Sequence, residues 1–269
     1  MHYDSHVHSA ASPDSELNPV DAIIALKSKG LGVVFTEHAD FATPITGKDP
    51  SATDAPKSLS DFICDFDIYP SQYRGIKQKY GSDSVLLGIE IGLSAAYLPL
   101  NSQIADNDYD FVLGAIHYVD GHDVFHDAAK MQPREFCRRY LTYGKEVVEL
   151  SGFFDALAHI DYIARYSDNI DKLFKYENFP KEFDDLLQVL ADRELALEIN
   201  TRRIGNNKAV RHLLPIYKRF NELGGKYVTI GSDAHKIEGL GRHYAKALDM
   251  AKMANLTPVF YSGRKRFNC

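Results

Sequence analysis

The sequence predicts an α/β protein: one parallel β/α barrel with its active site at the carboxyl ends of the strands. Three observations predict it. Short apolar segments alternate with helical segments along nearly all of the 269 residues, the pattern of a parallel sheet with crossover helices. Seven or eight such units in a chain of this length fit one closed barrel better than the alternative, an open doubly wound sheet. Metal-capable side chains recur just past the strands, on the face where a barrel gathers its active site.

The elements follow in order. Residues 2–7 (HYDSHV) form a first strand. Asn18 is placed to cap a helix that Pro19 opens and Gly30 stops near Lys29. Leu31–Thr36 is a continuous apolar run, as in a strand buried on both faces. Residues 42–57 carry Gly, Pro, Ser and Asp and read as a long loop, a candidate lid over the barrel mouth. Ser60 starts a helical region running to about Tyr80, interrupted near Pro70. Val85–Ile91 and Tyr109–Ile116 are the third and fourth strands, and Pro133–Leu150 is a long amphipathic helix. Phe154–Ala158 is the fifth strand, 180–192 a helix, and Leu195–Ile199 the sixth strand. A helix over 211–223 has Pro215 in its first turn or at a kink. Tyr227–Ile230 is the seventh strand, Leu240–Ala254 a helix, and Pro258–Tyr261 a short eighth strand. No repeat, low-complexity tract or linker divides the chain, so residues 1–269 read as a single domain.

Composition narrows the function. Hydrophobic residues make up 45% and charged residues 25%, enough for a core without covalent staples. A net charge of −6 offers no positive field for nucleic acid or an anionic membrane, so local cations must capture any anionic substrate. Cys64, Cys137 and Cys269 are far apart and lack CxxC spacing. They predict neither a disulfide framework nor a thiolate zinc site, and they fit the reducing cytoplasm. The opening residues MHYDSHVHSAASPDSE do not read as a signal peptide, and no run of 18 apolar residues predicts a membrane span. No G-x-G-x-x-G follows the first strand and no Walker loop is present. The sequence leaves oligomeric state open.

Histidine, with 11 copies, carries the chemistry. His6 and His8 end the first strand, and alternation lets both imidazoles point inward. Glu37 and His38 follow the second strand, Glu90 ends the third, and His117 and His159 follow the fourth and fifth. Asn200 follows the sixth, and Asp233 and His235 the seventh. One histidine after a strand is an ordinary satisfied polar group; recurrence at successive strand ends argues for a metal pocket. Imidazole and carboxylate without sulfur suit zinc, manganese or iron. The donors outnumber what one ion takes, so two or three ions are expected, with a carboxylate such as Glu90 bridging. Paired ions of this kind clamp the attacking and leaving oxygens of a phosphoryl displacement. His2, His122, His126, His212 and His243 read as strand-edge, loop or helix residues outside the cluster.

Three arginines supply local positive charge. Arg165 lies shortly after His159, and Arg202 and Arg203 follow the sixth strand; a guanidinium fork suits a phosphate dianion. Glu16 and Asp40 read as solvated loop carboxylates that could otherwise meet a substrate ammonium. The basic run GRKRF at 263–267 reads as a solvated tail.

The ordered segments DSHVHS, TEH, GIEIG, GAIHYV, ALAHIDY and GSDAH resemble the motifs of the polymerase and histidinol phosphatase (PHP) superfamily. The resemblance runs from His6 to His235 in family order. The length, EHADF after the second strand, and EINTRR are most similar to its monofunctional histidinol-phosphatases. The resemblance implies a distorted (β/α)7 barrel and a trinuclear site. It implies His6, His8, Glu90 and Asp233 on the first ion, Glu90, His117 and His159 on the second, and Asp14, His38 and His235 on the third. Some relatives carry histidine at the position of Asp14, so the third ion here is expected to bind more weakly or to differ. Arg165 and Arg202 are the favoured phosphate ligands, with Arg203 the neighbouring alternative.

The implied reaction is hydrolysis of a phosphate monoester, with L-histidinol phosphate the favoured substrate of histidine biosynthesis. The ions would activate water, the arginines would stabilise phosphoryl charge, and Asp233, His235 or a metal-bound water would protonate the leaving oxygen, a choice the sequence leaves open. Two alternatives stand beside it. One is another phosphoesterase of the superfamily, acting on phosphotyrosine, nucleotides or nucleic-acid ends. The other is a metal-dependent deacylase or a regulatory domain. The acidic charge argues against the nucleic-acid substrate, and the arginines argue against an amide.

Overall fold

A computed structural model describes residues 1–41, 64 and 69–269. The expected loop over 42–57 and the expected helix start at Ser60 lie outside the described residues.

The apolar runs form parallel strands, each hydrogen-bonded to the next: β1 (Tyr3–Val7), β2 (Gly32–Ala39), β3 (Val85–Gly92), β4 (Phe111–Ala115), β5 (Ala156–Leu157), β6 (Ala196–Asn200) and β7 (Tyr227–Gly231). The ring then closes. Val7 bridges Ala234 in parallel, Asp233 N–H donates to the His6 carbonyl at 2.8 Å, and His8 N–H donates to the Ala234 carbonyl at 3.0 Å. Seven strands thus make the barrel. It is distorted: β5 is only two residues long, and the β1–β2 register shifts between Asp4 and Val7.

The expected eighth strand is not a stave of the barrel. β8 (Thr257–Ser262) pairs with β7 through Thr257 and Pro258, then turns back antiparallel into β9 (Lys265–Asn268). The basic segment 263–267 is therefore a turn and a strand rather than a solvated tail. Arg264 anchors it, donating to Asp155 Oδ2 at 2.7 Å and to the carbonyls of Phe153 at 2.6 Å and Ala105 at 3.2 Å.

Helices cover the outside: α1 (Pro19–Ser28), α2 (Tyr69–Tyr80), α3 (Leu98–Ala105), α4 (Pro133–Leu150), α5 (Pro180–Asp192), α6 (Asn207–Glu222) and α7 (Tyr244–Met253). Asn18 caps α1, accepting from Val20 N–H at 2.9 Å. Pro70 falls in the first turn of α2, where a missing N–H is harmless. α3 was not expected. α6 starts four residues before the expected 211 because the Asn206 side chain accepts from Lys208 N–H at 2.8 Å. Pro215 consequently lies inside the helix. The apolar stripe of α4 includes Phe136, Tyr140, Gly144 and Val147 at helical spacing and is buried against the barrel.

Strand alternation sorts the barrel interior into two layers. Val34, Leu86, Phe111 and Leu113, near the amino ends, form an apolar floor with Tyr3, Val259 and Tyr261. The β8–β9 hairpin plugs this floor, with Tyr261 stacked on Phe111 at 5.3 Å and Phe260 on Tyr3 at 4.7 Å. On the same inward faces, farther along, stand His38, Glu90 and His117. No described helix is long and apolar enough to cross a membrane.

Candidate metal centre

His6 and His8, two apart along and just past β1, are 0% exposed, with their Nε2 atoms 3.0 Å apart. Each Nε2 stands 3.4 Å from Glu90 Oε2, and they lie 3.8 and 3.7 Å from Asp233 Oδ1. Across the same carboxylate, Glu90 Oε1 is 2.9 Å from His159 Nε2 and 3.5 Å from His117 Nε2. These two nitrogens are 3.3 Å apart. Four ligands at about 2.0–2.1 Å around a tetrahedral ion stand roughly 3.4 Å from one another. The spacings in both groups bracket that value. A third group gathers beside them: Asp14 Oδ2 lies 2.9 Å from His235 Nε2 and 3.5 Å from His38 Nε2. The ring of His8 lies against those of His38 and His235, with centroids at 4.0 and 4.3 Å.

The proton arrangement fits cations at these points. Glu198 Oε1 lies 2.7 Å from His6 Nδ1 and Asp40 Oδ2 lies 2.8 Å from His117 Nδ1. A carboxylate in that position accepts an Nδ1–H and leaves Nε2 with a lone pair, the usual arrangement of a metal-ligating imidazole. The lone pairs of His6 and His117 thus converge on Glu90 in a buried pocket. Buried donors of this kind are costly without a cation between them. The residues present fit divalent ions, and their imidazole and carboxylate chemistry suits zinc, manganese or iron.

Charge compensation is built in. Burial alone would raise the Glu90 carboxyl, but the protonated forms of His6 and His117 hold it well below the usual range, standing in for a cation's charge. Burial would likewise raise Asp233, but Arg165 and His6 hold it well below. His117 lowers Asp40 against the same opposition. Glu37 goes the other way: burial pushes it up to about 7 despite hydrogen bonds from Ser12 and Ser9.

The expected residues do not all meet here. His6, His8, Asp14, His38, Glu90, His117, His159, Asp233 and His235 come together. Glu37 does not face them, because neighbours on a strand point to opposite faces. It accepts from Ser9 N–H at 3.0 Å and Ser12 Oγ at 2.5 Å, tying down the loop after β1. Asn200 donates to Glu198 Oε2 at 3.1 Å and accepts from Arg202 N–H at 3.0 Å, shaping the loop that carries Arg202. Glu16 is exposed. Asp40 is not a solvated loop carboxylate: it is 4% exposed and holds His117. The sequence reading also missed Glu198. A charged residue inside the apolar run LALEI was its signal, since unpaired charges are rarely buried.

A cavity of about 630 Å³ opens over the donors. Arg165 and Arg202 line it and Arg203 does not. Arg165 has a 5% exposed side chain, and its Nη1 donates to Asp233 Oδ2 at 2.6 Å. Arg202 is 43% exposed, with Nη1 3.6 Å from the same oxygen. Arg203 instead pairs with Asp161 at 2.7 Å and with Asp171. Those carboxylates turn its fork away from the cavity. Tyr162 packs against His117 and His159 with ring centroids at 4.6 and 4.9 Å. Lys236 and Arg242 also line the cavity.

Known proteins resemble this chain along its whole length. The chain is 38% identical over 267 residues to a probable histidinol-phosphatase of Clostridium acetobutylicum, covering 98% of each. It is 29% identical over 256 residues to the histidinol-phosphatase of Lactococcus lactis, covering 91% of this chain and 89% of that one. A crystal structure of the Lactococcus lactis histidinol phosphate phosphatase, complexed with zinc, L-histidinol and phosphate, matches with a TM-score of 0.85 at 27% identity and covers 99% of both chains. The PHP domain family model matches residues 4–202, a span that takes in the donors from His6 to His159 together with Arg165 and Arg202. By that match and by the ring of donors at the barrel mouth, the chain belongs to the PHP domain family.

Proposed function

We propose that this protein hydrolyses L-histidinol phosphate to L-histidinol and phosphate with two or three divalent metal ions, as a phosphatase of histidine biosynthesis. The observation that carries this reading is the sharing of Glu90 between two groups of imidazole donors, directly beside two cavity arginines. The likeness to a histidinol phosphate phosphatase complexed with zinc, L-histidinol and phosphate supports the choice of substrate.

We assign His6, His8, Glu90 and Asp233 to one ion, Glu90, His117 and His159 to a second, and Asp14, His38 and His235 to a third. When bound, such ions supply Lewis acidity and lower the pKa of water so that hydroxide is available near neutral pH. The chain's own residues do the rest. Glu198 and Asp40 fix the His6 and His117 rings. Arg165 and Arg202 hold phosphoryl oxygens and stabilise the charge that grows on them. Arg165 also anchors Asp233, so phosphate binding and donor placement share one guanidinium. The departing alkoxide takes up its proton on the open side of the cavity beside His235, whose side chain is 19% exposed, while Asp233 stays ionised next to Arg165.

The test is phosphate release by the zinc-loaded protein from a panel of L-histidinol phosphate, tyrosine phosphate and nucleoside monophosphates. A clear preference in kcat/KM for L-histidinol phosphate is expected. Equal rates on all the esters, or turnover of acyl substrates alone, rejects the reading.

A further inference from the structure

Arg242 lies between β7 and α7, on a connection that one carboxylate fixes at both ends. Asp4, 0% exposed, accepts from Ser232 N–H at 2.7 Å and from Gly241 N–H at 2.8 Å. Gly241 (φ 60°) and His243 (φ 52°) flank Arg242 in the left-handed region. The Arg242 N–H donates to the Gly239 carbonyl at 3.2 Å. The backbone is thus set, and the side chain runs over Gly239. Both residues line the cavity above the metal donors. A Cβ on residue 239 would stand 2.8 Å from Arg242 Nη2, so glycine makes room for this guanidinium.

The side chain is not spent on the protein. Its Nε is buried and has no hydrogen-bond partner, and among the described residues Arg242 makes no ion pair. Arg203, by contrast, is committed to Asp161 and Asp171, and Arg165 gives its Nη1 to Asp233 while its Nε and Nη2 stay unpartnered. Burial, with the like charge of Arg202 second, lowers the Arg242 pKa. A guanidinium held beside another cation with donors left over has the chemistry of an anion site: five N–H groups in a planar fork that matches phosphate oxygens.

We propose that Arg242 is a further phosphate-binding residue of this site, taking phosphoryl oxygen together with Arg202. The proposal rests on the phosphate-ester reading above but not on the identity of the alcohol. It explains why glycines at 239 and 241 bracket the clamped backbone beside this side chain. It also explains how the cavity can hold a dianion although Arg165 has already given one donor to Asp233.

Calorimetric titration of inorganic phosphate into the zinc-loaded protein tests it, with zinc per chain measured for every variant. Arg242→Ala is expected to weaken phosphate by about 10–100-fold, the loss for a hydrogen bond to a charged group, at unchanged zinc content. Arg242→Lys should lose less, because charge remains while the fork is gone. Millimolar guanidinium should restore part of the alanine variant's affinity, which a merely structural role would not allow. Gly239→Ala should weaken phosphate with Arg242 intact. If Arg242→Ala loses zinc, Arg242→Lys decides in its place. Phosphate affinity indistinguishable from wild type in both Arg242 variants overturns the proposal. Tight phosphate binding by a wild type that ignores L-histidinol phosphate rejects that substrate and not the role of Arg242.

Discussion

Replacing Asp40 with asparagine removes one charge and keeps the shape. The carboxylate is 4% exposed and sits 2.8 Å from His117 Nδ1. Asparagine can still accept that N–H through its carbonyl, so the tautomer survives and only the charge behind the imidazole is lost. Removing the carboxylate behind a metal-ligating histidine costs about 10–100-fold in metal affinity, or roughly 1.4–2.7 kcal/mol. The retained hydrogen bond puts Asp40→Asn at the lower end and Asp40→Ala at the upper. A second variant approaches the same contact from behind. A Cβ at residue 92 would lie 1.8 Å from Asp40 Oδ1, so Gly92→Ala must push the carboxylate off His117. The assay is competition for zinc against a chromogenic chelator, with turnover measured at limiting and at saturating zinc. Affinity should fall in both variants, and saturating zinc should recover most of the Asp40→Asn turnover. Unchanged zinc affinity in Asp40→Ala and in Gly92→Ala would refute the argument that Asp40 holds His117 for a metal.

Exhaustive chelation should abolish phosphatase activity, and zinc, manganese or iron should restore it; full activity in protein shown metal-free by elemental analysis contradicts the mechanism. Glu90→Gln takes charge from two donor groups at once and should lose at least one ion per chain along with nearly all turnover. Unchanged stoichiometry would show that Glu90 bridges nothing. Arg202→Ala should cost on the order of 10²–10³ in kcat/KM while zinc content holds, whereas Arg165→Ala should also disturb zinc because Asp233 loses its partner. Arg203→Ala should leave kcat near wild type and destabilise the fold by about 1–2 kcal/mol, a half-buried pair being worth less than a fully buried one; a crippled kcat with normal stability would place phosphate on Arg203.

The strands and the donors at their ends were legible because both rest on strong local signals. LGVVF and VLLGI are apolar throughout, and a histidine or carboxylate at the end of such a run has no reason of packing to be there. The arginine choice was legible only in part. Arg202 and Arg203 are adjacent, and what separates them is the position of Asp161 and Asp171, which no local pattern reveals. Asp40 looked like a loop residue because its partner, His117, is 77 positions away. Arg242 carried no signal, since its place depends on Asp4 and Gly241 meeting across the barrel seam. The C-terminal hairpin was misread because KRF looks polar along the chain. Its charges lie on the outside, while β8 delivers Val259 and Tyr261 to the barrel floor.

The closing seam sets an order on how the site is assembled. Asp4 and Ser232 are 228 positions apart, so His6 and His8 meet Asp233 only after nearly the whole chain is in place. Contacts of such sequence separation carry a loop-closure cost and form late in folding. Glu90, His117 and His159 instead lie at or just past the ends of three successive strands and can come together while the ring is still open. The two halves of one active site therefore have different contact orders. An ion that binds only the closed ring stabilises it by mass action, and so acts as a latch on the final folding step rather than as a seed for the first.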